Sequence, residues 1–225
     1  MMNRRQFAAR TGWAGIAAAL PARLLAQDEE EPAVEEQPAV EEGTEAEAPP
    51  AVEEMALGDP DAPVTLIEYA SFTCPHCARF HAEVLPAIRA DYVDPGRVRY
   101  VYREVYFDRP GLWASMVARC GGAERYFAIA DMLYARQAEW TQGTPAEVAG
   151  NLRRIGLAAG LSPEALDACL SDGETAQALV ANYEANAAAD DVRATPSFVL
   201  GGETLPNMPL EDLAARLDDA LEAAG

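Results

Sequence analysis

The chain has no lysine: all 17 basic residues are arginine, against 37 Asp and Glu. Arginine standing everywhere in place of lysine reads as a GC-rich genome, not as chemistry. The formal net charge is −20 at pH 7, of which about −12 falls on residues 55–225. Nucleic-acid recognition needs a basic face, so this balance argues against it. It implies solubility more than any particular partner. Histidine is scarce too. The only two, His76 and His81, lie beside one cysteine pair, and no second Cys or His pair follows at short spacing. A structural zinc site therefore lacks ligands. Covalent haem attachment would need His directly after the second cysteine, where Ala78 stands. No stretch approaches about 18 uninterrupted apolar residues, so no membrane span is expected.

What is present concentrates in Cys74-Pro75-His76-Cys77. Two thiols three positions apart can close a small disulfide ring and open it again. The preceding run Val64–Ala70 reads as a buried strand and the following Ala78–Ala90 as a helix. At such a junction the helix N-terminus favours a thiolate. That context separates a redox pair from a chance one.

The N-terminus reads Met1-Met2-Asn3-Arg4-Arg5-Gln6-Phe7, then an apolar run Gly12–Leu20, then Ala22-Arg23-Leu24-Leu25-Ala26. Twin arginines, a short apolar stretch and a small residue at a cleavage position resemble a twin-arginine export signal over residues 1–26. Residues 27–54 hold twelve Asp or Glu and no basic residue, and Pro-Ala-Val-Glu-Glu occurs three times. Such a segment cannot bury enough apolar surface to offset its ordering entropy, so a disordered acidic linker is expected. Residues 55–225 are long enough for one domain with a real core.

Export leads to an oxidising compartment, where cysteines are candidates for disulfides. Besides Cys74 and Cys77, the chain carries Cys120 and Cys169 in helical-looking sequence. Of three possible connectivities, 74–77 with 120–169 is preferred because the first ring is local. The alternative for the second pair is two buried free thiols.

The run Leu66-Ile67-Glu68-Tyr69-Ala70-Ser71-Phe72-Thr73-Cys74-Pro75-His76-Cys77 resembles the active-site region of DsbA-like thiol:disulfide oxidoreductases. About 120 residues later, Val192-Arg193-Ala194-Thr195-Pro196-Ser197-Phe198-Val199-Leu200 resembles the loop before the third strand of thioredoxin folds. The order of the two signatures adds to their weight. The resemblance covers roughly residues 57–223. It implies an α/β thioredoxin fold with a helical insertion at about 110–190. The sequence between the signatures fits. Arg97–Val105 alternates as a strand should, and breaks near 121, 143, 160 and 173 divide a helical stretch. Gly201-Gly202 marks a hairpin turn, and Leu210–Ala224 a final amphipathic helix.

The resemblance also assigns roles. Cys74 would be the nucleophile and Cys77 the resolving thiol, and no cofactor is implied beyond this redox-active pair. Pro75 fits the first helical turn, where its missing N–H has no partner. His76 would donate to the Cys74 sulfur or lend it positive charge. Glu68 would be a buried acid assisting proton transfer at Cys77. Thr195 and the cis-proline Pro196 would form the substrate-facing wall. Pro86 should kink the active-site helix, and His81 reads as a packing or surface residue. The dipeptide Pro75-His76 matches the oxidising members. Thr195 stands where enterobacterial DsbA usually has Val, and Thr also occurs in isomerases and reductases of this fold. The expected function is an exported thiol oxidase, monomeric, acting on unfolded or reduced exported proteins and reoxidised by a quinone-linked membrane partner. An isomerase or reductase, and more remotely a chaperone module, are the alternatives.

Overall fold

A computed structural model describes residues 52–225. The expected export signal and residues 27–51 of the expected linker lie outside the described residues. The linker's last residues lie on the domain. Arg103 pairs with Glu54 at 2.9 Å, and Arg119 donates to the carbonyl of Glu53 at 2.9 Å.

Strand β2 (Val64–Ala70) runs parallel to β3 (Val98–Glu104), with Ala70 opposite Glu104. A short β1 (Met55–Leu57) borders β3 antiparallel. On the other side of β2 lie β4 (Ser197–Leu200) and β5 (Glu203–Pro206), both antiparallel to their neighbours, giving the order β1-β3-β2-β4-β5. Gly201 and Gly202, both at positive φ, make the hairpin between β4 and β5. Such a turn needs φ > 0, which glycine adopts without a Cβ clash.

Side chains alternate across β2. Leu66 and Ala70 enter the main core. Tyr69 enters a smaller cluster on the other face with Val105 and Val199. The period of two therefore sends Glu68 into the main core.

The helix after Cys74 begins three residues earlier than its apolar pattern suggests. Cys74 is the N-cap of α1 (Pro75–Glu83), with Pro75 in the first turn. After Val84 come α2 (Leu85–Ile88) and a π-helical turn (Arg89–Val93). Pro86 cannot donate an N–H to the preceding turn, which accounts for the break expected there.

Between β3 and β4 lie six helices: α3 (Arg109–Arg119), α4 (Ala123–Ala135), α5 (Gln137–Trp140), α6 (Pro145–Ala158), α7 (Pro163–Ser171) and α8 (Gly173–Ala189). This is the helical insertion, over the range expected. Asp108, Thr144, Ser162 and Asp172 cap four of the helices through side-chain oxygens, satisfying donors that would otherwise be orphaned. Gly156 lets α6 approach α7, since a Cβ there would sit 2.6 Å from Leu166. Cys120 and Cys169 form a disulfide with Cα atoms 5.9 Å apart, tying the end of α3 to α7. The closing α9 (Leu210–Ala224) buries Leu213 and Leu217. Among the described residues no helix is long and apolar enough to cross a membrane.

Candidate active site

Cys74 sits where β2 gives way to α1, its backbone N–H donating to the carbonyl of Ser71 at 3.0 Å. Gln137 of α5 holds the loop from behind. Its amide donates to the carbonyls of Phe72 at 2.7 Å and Cys74 at 2.9 Å. Cys74 is 8% exposed and Cys77 fully buried, and both are free thiols. This asymmetry follows from the helix: the N-cap faces outward and the residue three positions on faces the core.

The two sulfurs are pushed in opposite directions. Cys74 is lowered to about 5, first by a hydrogen bond from the Cys77 thiol, which outweighs the opposing effect of burial. The Thr195 side chain and the backbone N–H groups of Cys77 and His76 add to the lowering. Cys77 is raised far above the ordinary thiol range by burial first, then by Cys74 and the charge of Glu68. One thiol is thereby a nucleophile and the other a held proton.

The Thr195–Pro196 peptide bond is cis, and the Cys74 thiol donates to the carbonyl of Thr195 at 3.5 Å. The Thr195 carbonyl thus meets the thiol and its side chain the thiolate. Ser197 of β4 lies opposite Tyr69 of β2, which brings the two distant signatures to one end of the sheet.

The His76 ring is exposed and has no hydrogen-bond partner among the described residues; only its backbone N–H serves the Cys74 sulfur. The second position of an α-helix points its side chain out while its amide points to the cap, which accounts for the backbone contact.

Glu68 is fully buried in the middle of β2. The Tyr100 hydroxyl donates to its Oε2, and His81 Nε2 lies 3.2 Å from the same oxygen. Its other oxygen, Oε1, has no partner. Burial, with Glu68 adding, pushes the Tyr100 hydroxyl well above its ordinary range, so Tyr100 stays a donor. His81, expected to pack or lie at the surface, packs: its ring stacks on Tyr134 with centroids 4.0 Å apart. Its contact with Glu68 was not anticipated. The i, i+4 spacing from Cys77 was the available signal. Gln137, in a helix remote in sequence from the motif, gave none. Among the described residues no group of three His, Cys, Asp or Glu could hold a metal ion.

A strand-to-helix dithiol facing a cis-proline loop, with helices inserted between the two halves of the sheet, defines a thioredoxin-fold protein of the DsbA-like class. The family described as Thioredoxin matches residues 51–219, and the chain belongs to it. A Rickettsia bellii protein, provisionally named a protein-disulfide oxidoreductase, is 32% identical over 170 residues, covering 75% of this chain and 65% of the relative. The chain thus spans somewhat under two thirds of that relative's length. The crystal structure of Wolbachia pipientis alpha-DsbA1 superposes with a TM-score of 0.71 at 27% identity, covering 78% of this chain and 94% of that one. A protein-disulfide isomerase from Novosphingobium aromaticivorans superposes with a TM-score of 0.64 at 25% identity, covering 73% and 97%.

Proposed function

We propose that the protein is an exported thiol oxidase that introduces disulfides into reduced or unfolded exported proteins through Cys74 and Cys77. The observation that carries this reading is the opposed pair of thiols: an exposed edge of Cys74 held near 5, and a buried Cys77 held protonated. Stabilising the Cys74 thiolate stabilises the reduced form, so the 74–77 disulfide becomes an oxidant.

The steps balance as follows. A substrate thiolate attacks Cys74 Sγ of the oxidised protein, making a mixed disulfide and breaking the 74–77 bond. Cys77 departs with the electron pair and takes up a proton. A second substrate thiolate then attacks the substrate sulfur of the mixed disulfide. The products are an oxidised substrate and a reduced pair, with Cys74 leaving as the stabilised thiolate. Thr195 and Pro196 would receive the extended substrate chain beside the sulfur. Reoxidation requires an electron acceptor, for which a quinone-linked membrane partner is the class expected. The protein would work as a monomer, delivered through the signal read in residues 1–26 and tethered by the acidic segment.

The test is the reduction potential of the pair, together with oxidation of a reduced, scrambled substrate by the purified protein. A potential well above that of thioredoxin, about −270 mV, and loss of activity in Cys74→Ser are expected. A second reading, isomerase or reductase, is favoured by Thr195 and by the isomerase of similar fold. A potential close to the thioredoxin value would select it.

A further inference from the structure

The loop that carries Thr195 and Pro196 runs from the end of α8, capped by Asp190, to the start of β4 at Ser197. Both of its ends meet Tyr69 of β2. Ser197 lies opposite Tyr69 in the antiparallel register. At the other end the Tyr69 hydroxyl donates to Asp190 Oδ2. Arg103 of β3, opposite Tyr69 in the parallel register, donates to that hydroxyl at 2.8 Å and to Asp190 Oδ2 at 2.9 Å. Tyr69 stands five residues before Cys74, and Asp190 stands five before Thr195. The side chains thus join the two backbone segments that lead to the sulfur and to its neighbour.

We propose that Tyr69, Asp190 and Arg103 form a brace that holds Thr195 in place beside Cys74. The three are positioning residues for the dithiol. The inference rests on the oxidoreductase reading above. They act through the backbone and not on sulfur: Tyr69 lies in the small cluster on the sheet face opposite the core that contains Cys74 and Cys77. Hydrogen bonds weaken steeply as their geometry departs from the optimum, so the contact between Thr195 and Cys74 depends on where the loop is held.

Each member is itself held. Tyr69 is fully buried, so its hydroxyl needs a partner where it stands. Burial first, then Asp190, raises it to about 12, so it stays a donor. Glu54 orients Arg103 from the outside, accepting from Nε at 3.2 Å and from a terminal nitrogen at 2.9 Å. From Asp190 the position passes along a short loop. Asp191, at φ 50°, turns the chain off α8, and the Val192 N–H returns to the carbonyl of Ala187 at 2.9 Å. Val192 packs against the cluster that contains Tyr69. Ser197 Oγ donates to the carbonyl of Ala194 at 2.7 Å, next to Thr195, and Thr204 Oγ1 donates to the carbonyl of Asp190. Those bonds tie the loop to α8, β4 and β5. The brace ties its far end to β2, the strand that leads to Cys74.

The test is the midpoint of thiolate absorbance of the reduced full-length protein in the parent, Tyr69→Phe and Asp190→Ala. Tyr69→Phe removes one oxygen and keeps the buried ring. Asp190→Ala removes the acceptor from a partly exposed position. Each should raise the midpoint by about one unit, the worth of one hydrogen bond. Asp190→Ala also removes a negative charge, which by itself would lower the midpoint, so a rise there reports position. Tyr69→Phe added to Thr195→Val should raise the midpoint no further than Thr195→Val alone, because the hydroxyl that the brace positions is already gone. A variant that unfolds more easily but keeps the parent's midpoint has lost packing only, and that result overturns the brace. A lowered midpoint, or a full additive shift on top of Thr195→Val, overturns it too. Where Tyr69→Phe does not fold, Asp190→Ala carries the same comparisons. Thiol exchange with a reduced peptide is measured alongside. A parent that exchanges none overturns the oxidoreductase reading as well; an active parent whose variants keep its midpoint overturns the brace alone.

Discussion

Gln137 donates to the backbone carbonyl of Cys74 at 2.9 Å, so the inserted helices hold the catalytic loop through one amide. The same nitrogen reaches Phe72 at 2.7 Å. Gln137→Leu removes both bonds inside a buried setting. A buried carbonyl left without a partner costs about 1–3 kcal/mol. The Cys74 carbonyl still accepts from Ala78 at 3.1 Å, so the loss falls mainly at Phe72. Denaturant unfolding of the oxidised protein should show destabilisation in that range. A midpoint equal to the parent's would contradict the bracing role.

The lowered Cys74 thiol makes the stability of the reduced protein depend on pH. Its folded value, about 5, lies below the ordinary thiol value of about 8.5. The stabilisation is therefore fully present above the ordinary value and is lost as pH falls through about 5. Cys77, raised by burial, acts in the opposite sense only as the unfolded thiol begins to ionise above about pH 8.5. The difference in unfolding free energy between reduced and oxidised protein should shift toward the oxidised form from pH 8 down to 5. Thiolate ultraviolet absorbance of the reduced protein, titrated over the same window, should show a midpoint near 5. A midpoint above 7 would refute the assignment of Cys74 as the stabilised thiolate.

The second disulfide separates stability from chemistry. Cys120 and Cys169 close a loop of 49 positions. The chain-entropy estimate for a loop of this length is roughly 4 kcal/mol. Cys120→Ser with Cys169→Ser should lower the unfolding free energy by up to that amount and leave the potential of the 74–77 pair nearly unchanged. Should both cysteines of the parent prove alkylatable without reductant, the bond itself is refuted.

Local sequence pattern made the strands and the final helix legible because each rests on signals that neighbours do not override. The buried-strand run Val64–Ala70, the alternation of Arg97–Val105, the double glycine at 201–202 and the apolar stripe of Leu210–Ala224 all correspond to observed elements. Strand β1 escaped because three residues carry no period, and its place depends on pairing with Tyr100–Tyr102. In the site, Cys74, Cys77, Thr195 and Pro196 were legible through two signatures. Gln137 and the partners of Glu68 were not. Their positions are set by how α5, α1 and β3 pack, which local patterning does not encode. His76 shows the converse: a conspicuous residue in the motif whose backbone, not its ring, meets the sulfur.

Thr195 bears on the direction of electron flow through the geometry of one side chain. Its hydrogen bond to Cys74 is among the contacts that lower the thiol, after that from Cys77. Thr195→Val keeps the volume and removes the hydroxyl. The Cys74 thiolate should then be less favoured and its midpoint should rise above the parent's. With less stabilisation of the reduced form, the pair should become less oxidising, and its potential should move toward that of thioredoxin. The carbonyl of Thr195 is unaffected by the change, so its contact with the thiol at 3.5 Å should persist. Potential and thiolate titration measured on the same preparation check both halves. A potential that rises while the midpoint rises would break the link between thiolate stability and oxidising strength on which the oxidase reading depends.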